Sequence, residues 1–418
     1  MSKRLIIAAV FVSSAFVDAP SYINVGTVSL MGTLTAVFAF AIAVLVFWQP
    51  TASLRVLVRL WPLSLLFAFS LIQLFSDPLT TQAAQTLCLQ WIFLGLIVLT
   101  STSEADEVDH MSVSRMLQYA VLFASCCFLI VFLSVGFGSL ELGAISFIAA
   151  RSYALFALLG VALFASQWAA GSRVSLWLAG ALILLVALSL SRTGLVLSVM
   201  LISISRVRSF QRREFKRLLI ASVGAILAVS LLLISISALR TRFIGENSVE
   251  DYVTGEATVD TSGRLTAWAV TLGSYLESPW VGKGPGSANE LMDDVLYRLE
   301  IGHPLNEYLR FLHDEGLAGL LLFLAGACQL LVLCWRAHSN SLEDSDRRSP
   351  LYLATFLALV AALLSMLTDN TASYIFVMGP LGVMVGVTLR SLPLEKPLVV
   401  ATPEHEPPDA FGLARNAS

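Results

Sequence analysis

Apolar residues fill the chain in long blocks, and short polar segments separate the blocks. About twelve blocks are long enough to span, or nearly span, the roughly 30 Å hydrocarbon core of a bilayer. Their centres fall near Val10, Phe40, Phe67, Phe93, Phe128, Leu159, Leu182, Val199, Leu227, Phe323, Leu359 and Val383. The pattern predicts an all-α, polytopic membrane protein with about twelve transmembrane helices. Residues 1–238 are read as spans one to nine, and residues 316–391 as spans ten to twelve. Residues 239–315 contain no block of membrane length after Leu239 and are read as one large, partly helical outer loop. Loops this long in a compact protein are usually functional. Residues 392–418 hold five of the fourteen prolines and are read as a disordered tail. Lys3 and Arg4 ahead of a short apolar block resemble a signal peptide. Pro20 directly after Ala19 makes a poor cleavage site, so the first block is expected to remain as a helix.

Composition narrows the classes further. Apolar residues make up 57% of the chain and charged residues 13%, about half the ~25% of a soluble domain. Too little polar surface is left to cover a soluble core. A soluble enzyme, a disordered chain and a nucleic-acid binder are excluded. The formal net charge of −3 also offers no basic face. The five cysteines all lie in apolar blocks and read as small buried hydrophobes, with no spacing that suggests zinc or a disulfide framework.

Loop charge sets orientation. With both termini cytoplasmic, 18 of the 26 lysines and arginines fall on the cytoplasmic side. The acidic segment from Glu104 to Asp109 dissents, but acidic residues weigh little in this rule. The basic run Arg206–Arg217 is read first as an orientation determinant, with anionic lipid head groups as the alternative.

Three segments carry candidate chemistry. Arg192 interrupts about thirty mostly apolar residues from Val174 to Ile204, which suits a hairpin of two spans with Arg192 at its outer turn. An arginine there faces a cavity or partner, or snorkels to the interface. The outer loop contains SGRLTAWAVTLGSYLESPWVGKGPGSANE, from Ser262 to Glu290. Arg264 is expected to open an amphipathic helix with Trp268 and Leu272 on one face. Pro279–Gly286 is a glycine turn, or a backbone cradle for phosphate. Gly302–Leu320 packs His303, Asn306, Glu307, Arg310, His313, Asp314 and Glu315 into about four helical turns. Asn306, Arg310 and His313 are spaced to share a face. Glu307, Arg310 and Asp314 equally suit a surface ion-pair ladder. Asp293 and Asp294 are read as helix surface.

Taken in order, these segments resemble the O-antigen ligase and polymerase superfamily of bacterial inner-membrane glycosyltransferases. The resemblance rests on a Ser-Arg pair at an outer helical turn, Ser-Gly-Arg with Trp268 four residues on, Pro-Trp-Val-Gly-Lys-Gly-Pro-Gly, Asn-Glu-Tyr-Leu-Arg and Glu-Gly-Leu-Ala-Gly. It covers about Leu188 to Leu320; elsewhere only the topology matches. It implies that the large loop is periplasmic. It implies transfer of a glycan from undecaprenyl diphosphate to an acceptor hydroxyl, with no nucleotide sugar, no metal and no cofactor. Arg192 and Arg264 stand where the family carries diphosphate-facing arginines. Lys283, Asn306 and Arg310 are the candidate substrate-binding residues. The family commonly has His directly before Asn, but this chain has Leu305 there. His303 or Glu307 is therefore the candidate base, or the activated donor needs none. Looseness in this motif favours a polymerase of O-antigen or exopolysaccharide over a ligase. The expected partners are the lipid-linked donor, a glycan or lipid A core acceptor, membrane lipids, and chain-length regulator or export proteins. A transporter or lipid flippase is the reading from another class. It calls for repeated halves or midplane charges, and this sequence clusters its charges at the outer edge.

Overall fold

The computed structural model describes residues 3–25, 28–75, 80–104, 107–141, 149–206, 264–295, 303–343 and 349–393. The block centred on Leu227, the basic run from Arg208, the Ser262-Gly263 pair and the tail beyond residue 393 lie outside the described residues.

The described chain is dominated by helix. In order these are α1 (Lys3–Ala15), α2 (Leu30–Trp48), α3 (Pro50–Arg59), α4 (Trp61–Gln73), α5 (Thr81–Ser101), α6 (His110–Glu141), α7 (Ala150–Ala169), α8 (Arg173–Leu188) and α9 (Arg192–Ser205). Then come α10 (Arg264–Tyr275), α11 (Ser287–Val295), α12 (Glu307–Asp314), α13 (Gly316–Glu343), α14 (Pro350–Ser365) and α15 (Ile375–Arg390). A two-residue strand pair, Asn24–Val25 with Val28–Ser29, precedes α2. Local chemistry fixes the starts. Ser29, Thr80, Ser172, Ser191 and Ser349 each accept a backbone N–H in the first turn of the helix that follows. Such caps satisfy donors that the helix itself leaves orphaned. Proline stands at the first turn of α3, α4 and α14, where its missing N–H costs nothing.

Eleven of the twelve expected centres fall inside described helices, and Leu227 is the exception. Helix lengths divide the described blocks into two groups. Among the described residues, α2, α5, α6, α7 and α13 each contain an apolar stretch able to cross a membrane alone. Helices α3 and α4 add a sixth crossing if the pair, bent by 102°, acts as one. Helices α8, α9, α14 and α15 have 14–16 residues, about 21–24 Å at 1.5 Å per residue.

Helices α7 and α15 are apolar on all sides and occupy the centre of the bundle. Small residues let α15 lie directly on α5: a Cβ on Gly382 would stand 3.1 Å from the Phe93 carbonyl oxygen. The Gly382/Gly386 pair therefore serves internal packing. Helix α1 buries Ile6, Ile7, Val10 and Phe11 in the same core. Cysteines depart from expectation: Cys126 and Cys328 are exposed on helix surfaces, and Cys334 is buried.

Two polar faces bound the bundle. At one, Lys3 Nζ donates to Gln49 Oε1 and to the Thr102 carbonyl, and Arg390 donates to the carbonyls of Ser103, Glu104 and Val108. At the other, the starts of α5, α7, α9 and α15 meet the ends of α4 and α14 and the segments 264–295 and 303–316.

Candidate functional site

The hub of this second face is the short connection between α14 and α15, residues 366–374. The Glu307 N–H donates to the Met366 carbonyl at 2.9 Å, and Ser373 donates to Glu307 Oε1 through both its N–H and its hydroxyl at 3.2 Å. Thr368 shares a hydroxyl hydrogen bond with Thr193 at 2.8 Å. Arg151, in the first turn of α7, pairs through Nε with Asp369 Oδ2 and reaches the Thr368 carbonyl through Nη2 at 3.4 Å. One connection thus joins the starts of α7 and α9 to α12. Arg192 opens α9 beside Thr193, after a turn in which Ser191 caps the helix and Leu190 takes φ +57°. The hairpin expected around Arg192 is present.

Arg264 is the first described residue of α10, the helix its spacing predicts. The buried ridge of α10 is Ala267 and Thr271, one position round from the expected face, and Leu272 is exposed. Trp268 flanks that ridge and donates its indole N–H to the Pro304 carbonyl at 2.9 Å. That bond sets α10 against the segment carrying His303. His303 Nδ1 lies 2.9 Å from Asn289 Oδ1. An amide oxygen only accepts, so Nδ1 carries the proton and Nε2 keeps a lone pair. Burial, reinforced by the charge of Arg310, lowers the His303 pKa below its ordinary value and favours the neutral, basic form. Two residues on, Leu305 adopts φ +53°. A positive φ is costly for a branched side chain and is held there by its surroundings.

The remaining candidates are committed to structure. Asn306 lies before α12 and caps it, its oxygen accepting from Tyr308 and Leu309 N–H; it does not share a helix face with Arg310 and His313. Glu307 and Arg310 form an ion pair, and Asp314 lies 3.7 Å from Arg310 Nη1. The ladder is therefore real but buried, not on the surface: Glu307 and Asp314 are fully buried and Arg310 is 4% exposed. Burial opposes the Arg310 charge, but Glu307, Asp314 and Glu315 outweigh it and raise its pKa. Asp314 also accepts from the N–H groups of Gly286 and Ala288 at the start of α11. Glu315 accepts from Ser70 and Gln90. Burial first, and then the Asp314 charge, raise its pKa well above the carboxylate range.

The glycine turn is a docking element. Gly282, Gly284 and Gly286 all have positive φ. A Cβ on Gly282 would stand 2.5 Å from the Gly316 nitrogen, and one on Gly286 would stand 2.7 Å from the Gln82 carbonyl carbon. Four of its N–H groups are already used: Gly282 donates to the Ser278 carbonyl, Lys283 to the His313 carbonyl, Gly284 to the Asp314 carbonyl, and Gly286 to the Asp314 carboxylate. The turn reading stands over the phosphate cradle. Lys283 Nζ donates to Ser274 Oγ at 2.9 Å and to Glu277 at 2.6 Å. His313 is buried, with Nε2 3.0 Å from Ser274 Oγ and Nδ1 3.1 Å from Ser287 Oγ. Asp293 is exposed on α11, as expected. Among the described residues, no three His, Cys, Asp or Glu side chains converge in a way that could hold a metal ion.

Sequence reasoning missed Arg151 and Asp369 as a pair. The signal was an arginine opening one apolar block and a Thr-Asp-Asn triplet, residues 368–370, closing another. Two charges 218 residues apart give no local cue to their meeting.

Comparison with known proteins gives one family. Residues 177–324 match the family model described as O-antigen ligase. That span runs from α8 through Arg192, Arg264 and the His303 segment into α13. No curated protein sequence matches the chain.

Proposed function

We propose that this membrane protein, whose residues 177–324 match the O-antigen ligase family model, is a polysaccharide polymerase, acting on O-antigen or exopolysaccharide repeat units at the periplasmic face of the bacterial inner membrane. The family implies a lipid-linked glycan and an acceptor as substrates. The finer reading is ours. An acceptor sugar hydroxyl attacks the anomeric carbon of a glycan on undecaprenyl diphosphate. The hydroxyl proton goes to His303 Nε2. The bond from the anomeric carbon to the diphosphate oxygen breaks, and the lipid diphosphate leaves with the electron pair. Arg192 and Arg264 stabilise the charge that develops on it, because a guanidinium fork matches phosphate oxygens. Arg151 joins them as a third cation.

The observation that supports this reading most is the convergence at residues 366–374. That connection ties the helix starts bearing Arg151 and Arg192 to α12, and the Trp268–Pro304 bond brings in α10 and its Arg264. His303 stands in the same region with a free lone pair on Nε2. Glu307 is the weaker base candidate, since Arg310 and Ser373 already occupy its carboxylate.

The test is reconstitution in liposomes with a lipid-diphosphate-linked repeat unit and no nucleotide. A ladder of multiples supports polymerase. Transfer only on addition of lipid A core supports the ligase reading, which the description of the matched family favours. Transport of the intact lipid without any new glycosidic bond overturns both.

A further inference from the structure

A cavity of about 200 Å³ lies between the end of α4, the start of α5 and the glycine turn. Gln73, Thr80, Lys283, Ser287 and Glu290 supply its polar lining, and Leu74 and Pro285 supply apolar wall. Its polar groups are held in advance. Ser287 Oγ is fixed by His313 Nδ1 and Asp314 Oδ1, both at 3.1 Å. Lys283 is fixed by Ser274 and Glu277. The Gln73 amide is pinned through Nε2 to the Val281 carbonyl. Its Oε1 is buried and has no hydrogen-bond partner among the described residues. Buried acceptors of this kind are normally satisfied, and a hydroxyl donor held in the cavity would satisfy Gln73 Oε1.

The chemistry of the wall selects the ligand. A phosphate is disfavoured, because Glu290 and Gln73 Oε1 present acceptors and the N–H groups of Gly282, Lys283, Gly284 and Gly286 are consumed. A hydrocarbon tail is disfavoured by an ammonium, a carboxylate and two hydroxyls. A sugar ring fits both requirements. Its hydroxyls donate to Gln73 and Glu290 and accept from Lys283 or Thr80, while its C–H face rests on Leu74 and Pro285. Mixed polar groups placed on an apolar wall are the usual make-up of a small-molecule site. We propose that this cavity binds one sugar ring of the lipid-linked glycan. The proposal rests on the glycan-transfer reading and adds to it a subsite apart from the arginines and His303.

The experiment uses full-length protein in liposomes and lipid-linked glycan extracted from the bacterium that encodes it, with initial rates measured over a range of glycan concentrations. Gln73→Ala and Glu290→Gln are each expected to raise KM roughly five- to tenfold, the worth of one or two hydrogen bonds, with kcat within about twofold of wild type. Glu290→Gln keeps shape and leaves the turn untouched, so it reports even if Gln73→Ala loosens the contact with Val281. Unchanged KM in both variants, or a loss confined to kcat, overturns the subsite while leaving the transfer reading intact. No transfer by the wild-type protein overturns the transfer reading, and the subsite falls with it.

Discussion

At the scale of single residues, the charges between residues 303 and 315 divide into those that hold the fold and the one placed for chemistry. Arg310 is balanced by Glu307 and Asp314, and burial, then the Asp314 charge, push the pKa of Glu315 next to them up to about 8. Its raised pKa means that the folded state binds a proton which the unfolded state releases at neutral pH. The stability this contributes is present at low pH and is lost as pH rises through the raised value. The thermal stability of the wild-type protein should therefore fall as pH rises from the ordinary carboxylate range to about 8 and level off above it, and Glu315→Gln should flatten that slope. An unchanged slope in the variant would show that Glu315 is ionised in the fold. His303 is the opposite case. Its pKa is lowered, so its basic form persists to more acid pH than an ordinary histidine near 6.5. The acid limb of kcat/KM should lie below that value. His303→Ala should reduce kcat by about 100-fold or more, within the range for a general base. A loss under tenfold would remove His303 from that role.

At the scale of elements, contacts between backbones decide what the loop can do. Its apolar periodicity showed that a helix lies there, but the buried ridge falls one position round, because Ala267 packs against Met292 of α11 and α10 also lies against α12. The eight glycine-turn residues, 279–286, were legible as a turn. Their partner, the α12–α13 junction, was not, since no local signal encodes a docking between Gly282 and Gly316. Gly282→Ala should prevent that docking and leave little folded protein after detergent extraction, read by size-exclusion recovery. Wild-type recovery would mean that the turn can shift. Gly386 makes the same argument inside the bundle. A Cβ there would collide with Thr100 and stand 2.6 Å from the Ile97 carbonyl oxygen. Gly386→Ala should lower stability by about 1–3 kcal/mol, the usual cost of overpacking, seen as a lower thermal midpoint.

At the scale of the whole molecule, blocks of apolar residues located eleven described helices without any alignment, because a lipid-facing or fully buried helix must be apolar along its length. Block counting does not separate long from short helices, since α8, α9, α14 and α15 are as apolar as their longer neighbours but have 14–16 residues. Arg192 and Arg264 were visible as arginines at helix starts. Arg151 with Asp369 was not, as that pair exists only once α7 and the α14–α15 connection come together. The central claim is that arginines gathered at one face stabilise a departing lipid diphosphate. The most direct test compares wild-type protein with Arg264→Ala in liposomes at matched reconstitution, with a lipid-diphosphate-linked repeat unit and products resolved by size. The account predicts a glycan ladder from the wild type and none from Arg264→Ala, with both proteins equally folded. A full ladder from the variant would contradict it.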